Sequence, residues 1–251
     1  MNSKANAGLV LKSYPDYERL SRAAFEVIVG QLRSKPNLLL CAATGASPTR
    51  IYQLMAEQFR REPEVFQELR ILKLDEWGGL AMTDPGSCEF YLRQHLLGPL
   101  SIPRERYVGV QSDVRFPEKE CARVRDWLQE NGPIDICVLG LGSNGHLAMN
   151  EPATVLHPTA HVAELAATTQ NHAMLAQSKS RPTYGMTLGM TEIFQSKKIL
   201  LPVSGAAKSE QLARMMSRKI TTEFPASLLW LHPDTTCFCD AAALGRLSPD
   251  A

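Results

Sequence analysis

Residues 37–49 read Asn-Leu-Leu-Leu-Cys-Ala-Ala-Thr-Gly-Ala-Ser-Pro-Thr: an unbroken apolar run, then small and hydroxyl residues. Pro36 and Gly45 bound the apolar part. A short run without polar alternation suits a strand buried on both faces, as in a parallel sheet. The next residues lead into a helix: a βα turn needs a glycine, here Gly45, and a capping Ser or Thr. A strand that feeds straight into a helix is half of a βαβ unit.

The pattern repeats outward from this stretch. Residues 70–74, 134–139, 198–203 and 235–239 form further apolar runs. Pro202 marks the 198–203 run as edge-like, because proline cannot donate to a ladder. Helical spacing joins Leu20, Ala23, Ala24, Val27, Ile28 and Leu32 behind a capping Asp16. Similar spacing recurs over 48–60, 88–97, 118–130 and 207–218. Strands alternating with helices predict an α/β fold: a doubly wound, mostly parallel, Rossmann-like sheet with helices on both faces. No internal repeat or linker divides the chain, so 1–251 is expected to be a single domain. Residues 1–14 read as a loose extension. Residues 152–182 are poor in strand signals and are expected to hold a lid.

The composition narrows the partners. The chain has 251 residues with 27 basic and 26 acidic side chains, a net charge of +1. A nucleic-acid binder usually shows a basic excess, so none is expected, and an anionic partner must be small and locally held. The six cysteines, at 41, 88, 121, 137, 237 and 239, lack CxxC spacing and sit mostly in apolar runs. They read as buried, reduced thiols, which fits a cytoplasmic protein. Residues 1–7 hold no apolar signal segment. No apolar run reaches the roughly 18 residues of a membrane span. The sequence is compatible with a homo-oligomer and shows no readable interface.

Ligands of open parallel sheets bind outside the carboxyl ends of the strands. Four junctions there are polar and small. At Ala43-Thr44-Gly45-Ala46-Ser47, backbone N–H groups and two hydroxyls can approach an anion at a helix N-terminus; an ordinary capped turn reads the same way. Asp75-Glu76 ends the second run, either as a general base or as a solvated acid pair. Residues 139–152 carry Gly140, Gly142, Gly145 and His146, with Asn144 and Glu151 close by; Glu151 is placed to orient the imidazole. Lys208 comes after Ser204-Gly205 near a helix start, where a cation makes sense if an anion lies between.

Together, Leu74-Asp75-Glu76-Trp77, Gly140-x-Gly142-x-x-Gly145-His146-x-Ala148-x-Asn150-Glu151-Pro152 and Gly205-x-x-Lys208 resemble the glucosamine-6-phosphate deaminase/6-phosphogluconolactonase superfamily. The resemblance runs from the first strand to 225–233. Lactonases of that superfamily typically read Asp-Glu-Arg and end the histidine loop in Ser-Leu-Phe-Pro; Trp77 and Asn150-Glu151-Pro152 match the deaminase pattern. Asn144 stands where the deaminases usually carry aspartate. With Trp77, Cys88-Glu89 and residues 168–172, it is most similar to the galactosamine-6-phosphate deaminase/isomerase branch.

The resemblance implies roles. Asp75 would move a proton between C2 and C1 of an open-chain sugar. His146, with Glu151 and Asn144, would assist ring opening. Thr44, Gly45, Ala46, Ser47 and Lys208 would hold the 6-phosphate, and Gly140 and Ala148 would touch the sugar. The partner would be a small sugar phosphate, and no metal or other cofactor is expected. The lid arginine of the glucosamine enzymes is missing from 168–175, which leaves Arg181 and His172 as candidates. The basic residues of the regulated enzymes are also missing around His161-Val162-Ala163, so activation by an acetylated sugar phosphate is not expected. Glucosamine-6-phosphate deamination, lactone hydrolysis and a non-catalytic phosphosugar sensor stand as alternatives.

Overall fold

A computed structural model describes residues 8–178 and 180–245. The chain begins with β1 (Leu9–Tyr14), α1 (Tyr17–Ser34), β2 (Leu39–Ala42), α2 (Ala46–Phe59), β3 (Arg70–Lys73) and β4 (Asp75–Trp77). It continues through α3 (Cys88–Leu92), β5 (Tyr107–Val108), α4 (Pro117–Asn131) and β6 (Ile136–Val138). Then come β7 (His161–Glu164), α5 (Ala167–Gln170), β8 (Tyr184–Thr187), α6 (Met190–Phe194) and β9 (Lys198–Val203). The last elements are α7 (Ser209–Met216), β10 (Thr235–Asp240) and α8 (Ala241–Leu244). Asp16 caps α1, its carboxylate accepting from the N–H of Arg19 at 2.8 Å.

The main sheet has the order β1-β10-β9-β6-β2-β3-β5, and its pairs are parallel. Both faces are covered. Leu38, Leu40, Ala42, Ile136 and Val138 pack on one side with Leu20 and Ile28 of α1 and Ile51 and Met55 of α2. Leu39, Cys41, Cys137 and Leu139 point the other way, toward Val124 of α4, Ile193 of α6 and Leu212 of α7. This is the doubly wound arrangement that the uninterrupted apolar runs predict. From β2 the chain winds outward to β3 and β5; from β6 it winds the other way to β9 and β10. The reversal falls between β2 and β6, so their carboxyl ends open a crevice.

Three local expectations are corrected. Leu9–Tyr14 is not a loose extension: it is the edge strand β1, in register with Thr235–Asp240. Residues 1–7 lie outside the described residues. The 152–182 segment does hold a strand. β7 pairs antiparallel with β8, which pairs with β4, and the three form a second small sheet. Finally, β9 lies inside the sheet despite Pro202. In a parallel strand, successive residues turn their amides to opposite neighbours. Leu200 accepts from the N–H of Leu139, so Pro202 faces the same side, beyond the last β6 register pair, Val138↔Leu200. Its missing N–H costs no ladder bond.

Leu40 has no exposed surface. Leu40→Ala is expected to lower stability by about 2–5 kcal/mol, through lost burial and a cavity. Val155, 79% exposed, should tolerate alanine within about 0.5 kcal/mol. Urea unfolding of both variants checks the contrast, and equal losses would contradict this placement of the core.

Candidate active site

A cavity of about 270 Å³ opens at the crevice between the ends of β2 and β6. Thr44, Gly45, Ala46, Ser47, Asp75, Gly140, His146, Ala148 and Lys208 all line it. Residues from four distant stretches thus meet at one point. Asn144 and Glu151 stand behind His146 rather than on the wall.

One end of the cavity gathers the N-terminal turn of α2 and Lys208. Gly45 caps α2 at φ +103°, a conformation that favours glycine. Its carbonyl is taken by the hydroxyls of Thr49 at 2.9 Å and Tyr91 at 2.8 Å. The N–H groups of the first turn of α2 have no intrahelical acceptor and supply the helix's positive end. Lys208 comes from the opposite side. Asp240 folds its loop, accepting from the N–H of Gly205 at 3.1 Å and from the Ser204 hydroxyl. The Lys208 ammonium donates to the Leu141 carbonyl at 2.7 Å. Burial pushes its pKa down, a cost that a bound anion would offset.

Asp75 lies deeper, 7% exposed. Burial pushes its carboxyl up to about 7, and the nearby charge of Glu76 adds to the rise. His146, Lys73 and the Cys88 thiol pull the other way. That thiol lies 3.9 Å from Asp75 Oδ1 and accepts from the Thr44 hydroxyl at 3.3 Å. A carboxyl poised near neutrality can both take and return a proton.

His146 sits in a loop that only small residues permit. A Cβ on Gly142 would come within 2.4 Å of its ring, and one on Gly145, at φ +91°, within 2.1 Å of Phe224. Nδ1 of His146 lies 3.4 Å from Glu151 Oε2. Asn144 fixes both partners: its amide donates to the same Oε2 at 2.7 Å, and its Oδ1 accepts from the N–H of His146 at 3.1 Å. Burial raises the Glu151 carboxyl, but hydrogen bonds from His146, Thr169 and Asn144 outweigh it and bring it down to about 2. Glu151 is therefore an anion at neutral pH, suited to orient an imidazole whose other nitrogen can exchange protons. Ala148 is held at φ +54° at the turn of this loop.

The 165–178 segment covers the cavity and adds Thr168, Thr169, His172 and Met174 to its wall. Of the two candidates to replace a lid arginine, His172 lies in the cavity, its ring 5.9 Å from that of Trp77. Arg181 does not line it and donates instead to the Gln170 carbonyl and Asn171 Oδ1. Sequence reasoning missed the ion cluster behind Asp75. Lys73, with no exposed surface, pairs with Glu76 at 2.8 Å and Glu89 at 2.9 Å. A lysine inside an apolar strand, with an acid three residues on, was the available signal. Among the described residues, no group of three or more His, Cys, Asp or Glu side chains could hold a metal ion. His157 and His161 stack at 4.6 Å.

Comparisons with known proteins show the family and the fold. The sequence profile of the family described as glucosamine-6-phosphate isomerases/6-phosphogluconolactonase matches residues 16–238. A protein of Escherichia coli (strain K12) that bears the name "Putative deaminase AgaI" is 39% identical over 90% of this chain and 90% of its own length. A glucosamine-6-phosphate deaminase of Geobacillus sp. (strain WCH70) is 35% identical over 94% of each. The solved structure of a monomeric glucosamine-6-phosphate deaminase superposes with a TM-score of 0.89 at 32% identity, covering 94% of this chain and 98% of that one. A 6-phosphogluconolactonase from Trypanosoma cruzi shares the fold, with a TM-score of 0.78 at 20% identity over 97% and 98% of the two chains.

The position of Asp75 has a thermodynamic signature. Its folded pKa is raised from 3.8 to about 7. The native state therefore holds the proton more tightly than the unfolded chain, and this contribution to stability is lost as pH rises through that window. Asp75→Asn is expected to stabilise the protein increasingly from pH 4 to pH 8, by on the order of a few kcal/mol. Urea unfolding at several pH values measures the increment; one that is flat with pH would contradict the assignment.

Proposed function

The chain belongs to the glucosamine-6-phosphate isomerase/6-phosphogluconolactonase family, and from that premise we propose that it deaminates a 2-amino-2-deoxyhexose 6-phosphate, with galactosamine 6-phosphate preferred. One observation carries the reading. A neutral-range carboxyl, an imidazole–carboxylate pair and an anion cradle face one another across a single cavity.

The 6-phosphate docks on the first-turn N–H groups of α2, the hydroxyls of Thr44 and Ser47, and Lys208. His172 closes this site from above. Its Nδ1 accepts from the N–H of Met174 at 3.3 Å, which leaves Nε2–H to donate. With the phosphate anchored, the sugar lies over Gly140 and Ala148. His146 takes the proton of the anomeric hydroxyl on Nε2 and passes it to the ring oxygen as the ring opens to the aldehyde. Asp75 takes the C2 proton and returns it at C1. The resulting imine at C2 adds water and releases ammonium, leaving a ketose 6-phosphate. Each step moves a proton on a held substrate, so positioning and general acid–base catalysis suffice.

The C4 preference rests on residues by which the sequence resembles the galactosamine branch. Trp77 and Cys88 both line the cavity beside Asp75, and Asn144 orders the His146–Glu151 pair. The 165–178 segment serves as the lid that admits substrate and then excludes water. No helix among the described residues is long and apolar enough to cross a membrane, and the reading places the enzyme in the cytoplasm.

Ammonium release from galactosamine 6-phosphate and glucosamine 6-phosphate, with phosphogluconolactone as control, tests the proposal. Release is expected to be faster from the galacto epimer. Asp75→Asn should lower it by about 10²–10⁴-fold. Faster release from the gluco epimer would overturn the preference and keep the chemistry. Lactone hydrolysis without ammonium would overturn the chemistry itself.

A further inference from the structure

Thr169 carries a hydroxyl from the covering segment down to the His146–Glu151 pair. It is 4% exposed, although the segment lies at the surface. Its Oγ1 is 3.5 Å from His146 Nδ1, and Glu151 Oε2 is 3.4 Å from the same nitrogen. Neither contact is a short hydrogen bond alone. Together they place two oxygens around one ring nitrogen. A hydroxyl suits the second place because it can accept from the imidazole while donating to the carboxylate. Burying it without such partners would cost free energy.

The backbone makes Thr169 move with the segment. Its N–H and that of Gln170 both donate to the Ala166 carbonyl at 2.9 Å, and its own carbonyl accepts from the N–H of His172 at 3.0 Å. Gln170 Nε2 ties the turn to the Leu165 carbonyl at 3.0 Å. Thr169 and His172 are therefore displaced or seated together.

We propose that Thr169 is a positioning residue: its hydroxyl holds the His146 imidazole against Glu151 with the proton on Nδ1, so the pair is complete only when the covering segment is seated. The inference rests on the reading of His146 as the ring-opening group. It adds a way for substrate closure to switch that group into its working tautomer. A hydrogen bond of this kind, once lost, lowers turnover roughly three- to tenfold.

The test combines nitrogen-15 NMR of the histidine rings with steady-state kinetics of ammonium release. His146→Gln assigns the ring resonances. The wild-type chain is expected to show the Nδ1–H tautomer at His146. Thr169→Val should give a mixture of tautomers and a kcat lowered roughly three- to tenfold, with KM changed by less than about twofold. Thr169→Ser should restore both. Thr169→Ala repeats the test with no branched side chain to accommodate, and thermal unfolding checks that each variant folds. A Thr169→Val protein that keeps a single Nδ1–H tautomer and the wild-type kcat would overturn the proposal. Full activity in His146→Gln would instead remove the ring-opening role, while the tautomer readout still decides the part played by Thr169.

Discussion

A lysine with no contact to solvent organises the catalytic end of the sheet. Lys73, the last residue of β3, holds Glu76 and Glu89, and Glu76 also accepts the N–H groups of Trp77, Cys88 and Glu89. One carboxylate is thereby tied to the strand that leaves the main sheet and to the start of α3. Removing the lysine would strand buried charges, a loss typically of about 3–5 kcal/mol. Asp75 lies between the two ends of this clamp, and Cys88 lies opposite it. The cluster also acts at a distance. The charge of Glu76 adds to burial in raising Asp75, while Lys73 restrains the rise. The frame that fixes Asp75 thus also tunes it.

The rest of the site divides its tasks by mobility and by charge. Sheet-end junctions carry the start of α2, Asp75 and His146, and several of their glycines have side-chain space already occupied or a positive φ. The covering segment adds His172 toward the cradle and Thr169 toward the histidine. Charge is local. With a net charge of +1, the protein has no strong overall field to draw in an anion, so the proposed phosphate site rests on one helix end and one half-buried lysine.

Much of this was legible in the sequence. Runs such as 37–43 and 134–139 are apolar on both faces because both faces are buried, so the doubly wound sheet could be read directly. The glycines at 140, 142 and 145 announced a loop that packs tightly around His146. The parts that were hidden depend on tertiary pairing. β1 reads as an extension because its partner, β10, lies more than 200 residues away. His161–Glu164 becomes a strand only beside β8. Pro202 suggested an edge because sequence does not show where β6 stops. Lys73 passes unnoticed inside an apolar run, because its partner Glu89, sixteen residues on, meets it only in the fold. Thr169 has the sequence context of a surface turn, and its burial comes from the fold of the segment over the cavity.

Folding turns Asp75 into a carboxyl poised near neutrality, in one cavity with the N-terminal turn of α2. Carbon-13 NMR titration of the protein labelled at aspartate side-chain carboxyls tests it most directly. One resonance is expected to titrate at about pH 7 and to vanish in Asp75→Asn. If every aspartate titrates in the ordinary range around pH 4, burial has not raised Asp75, and a poised carboxyl at this site is contradicted.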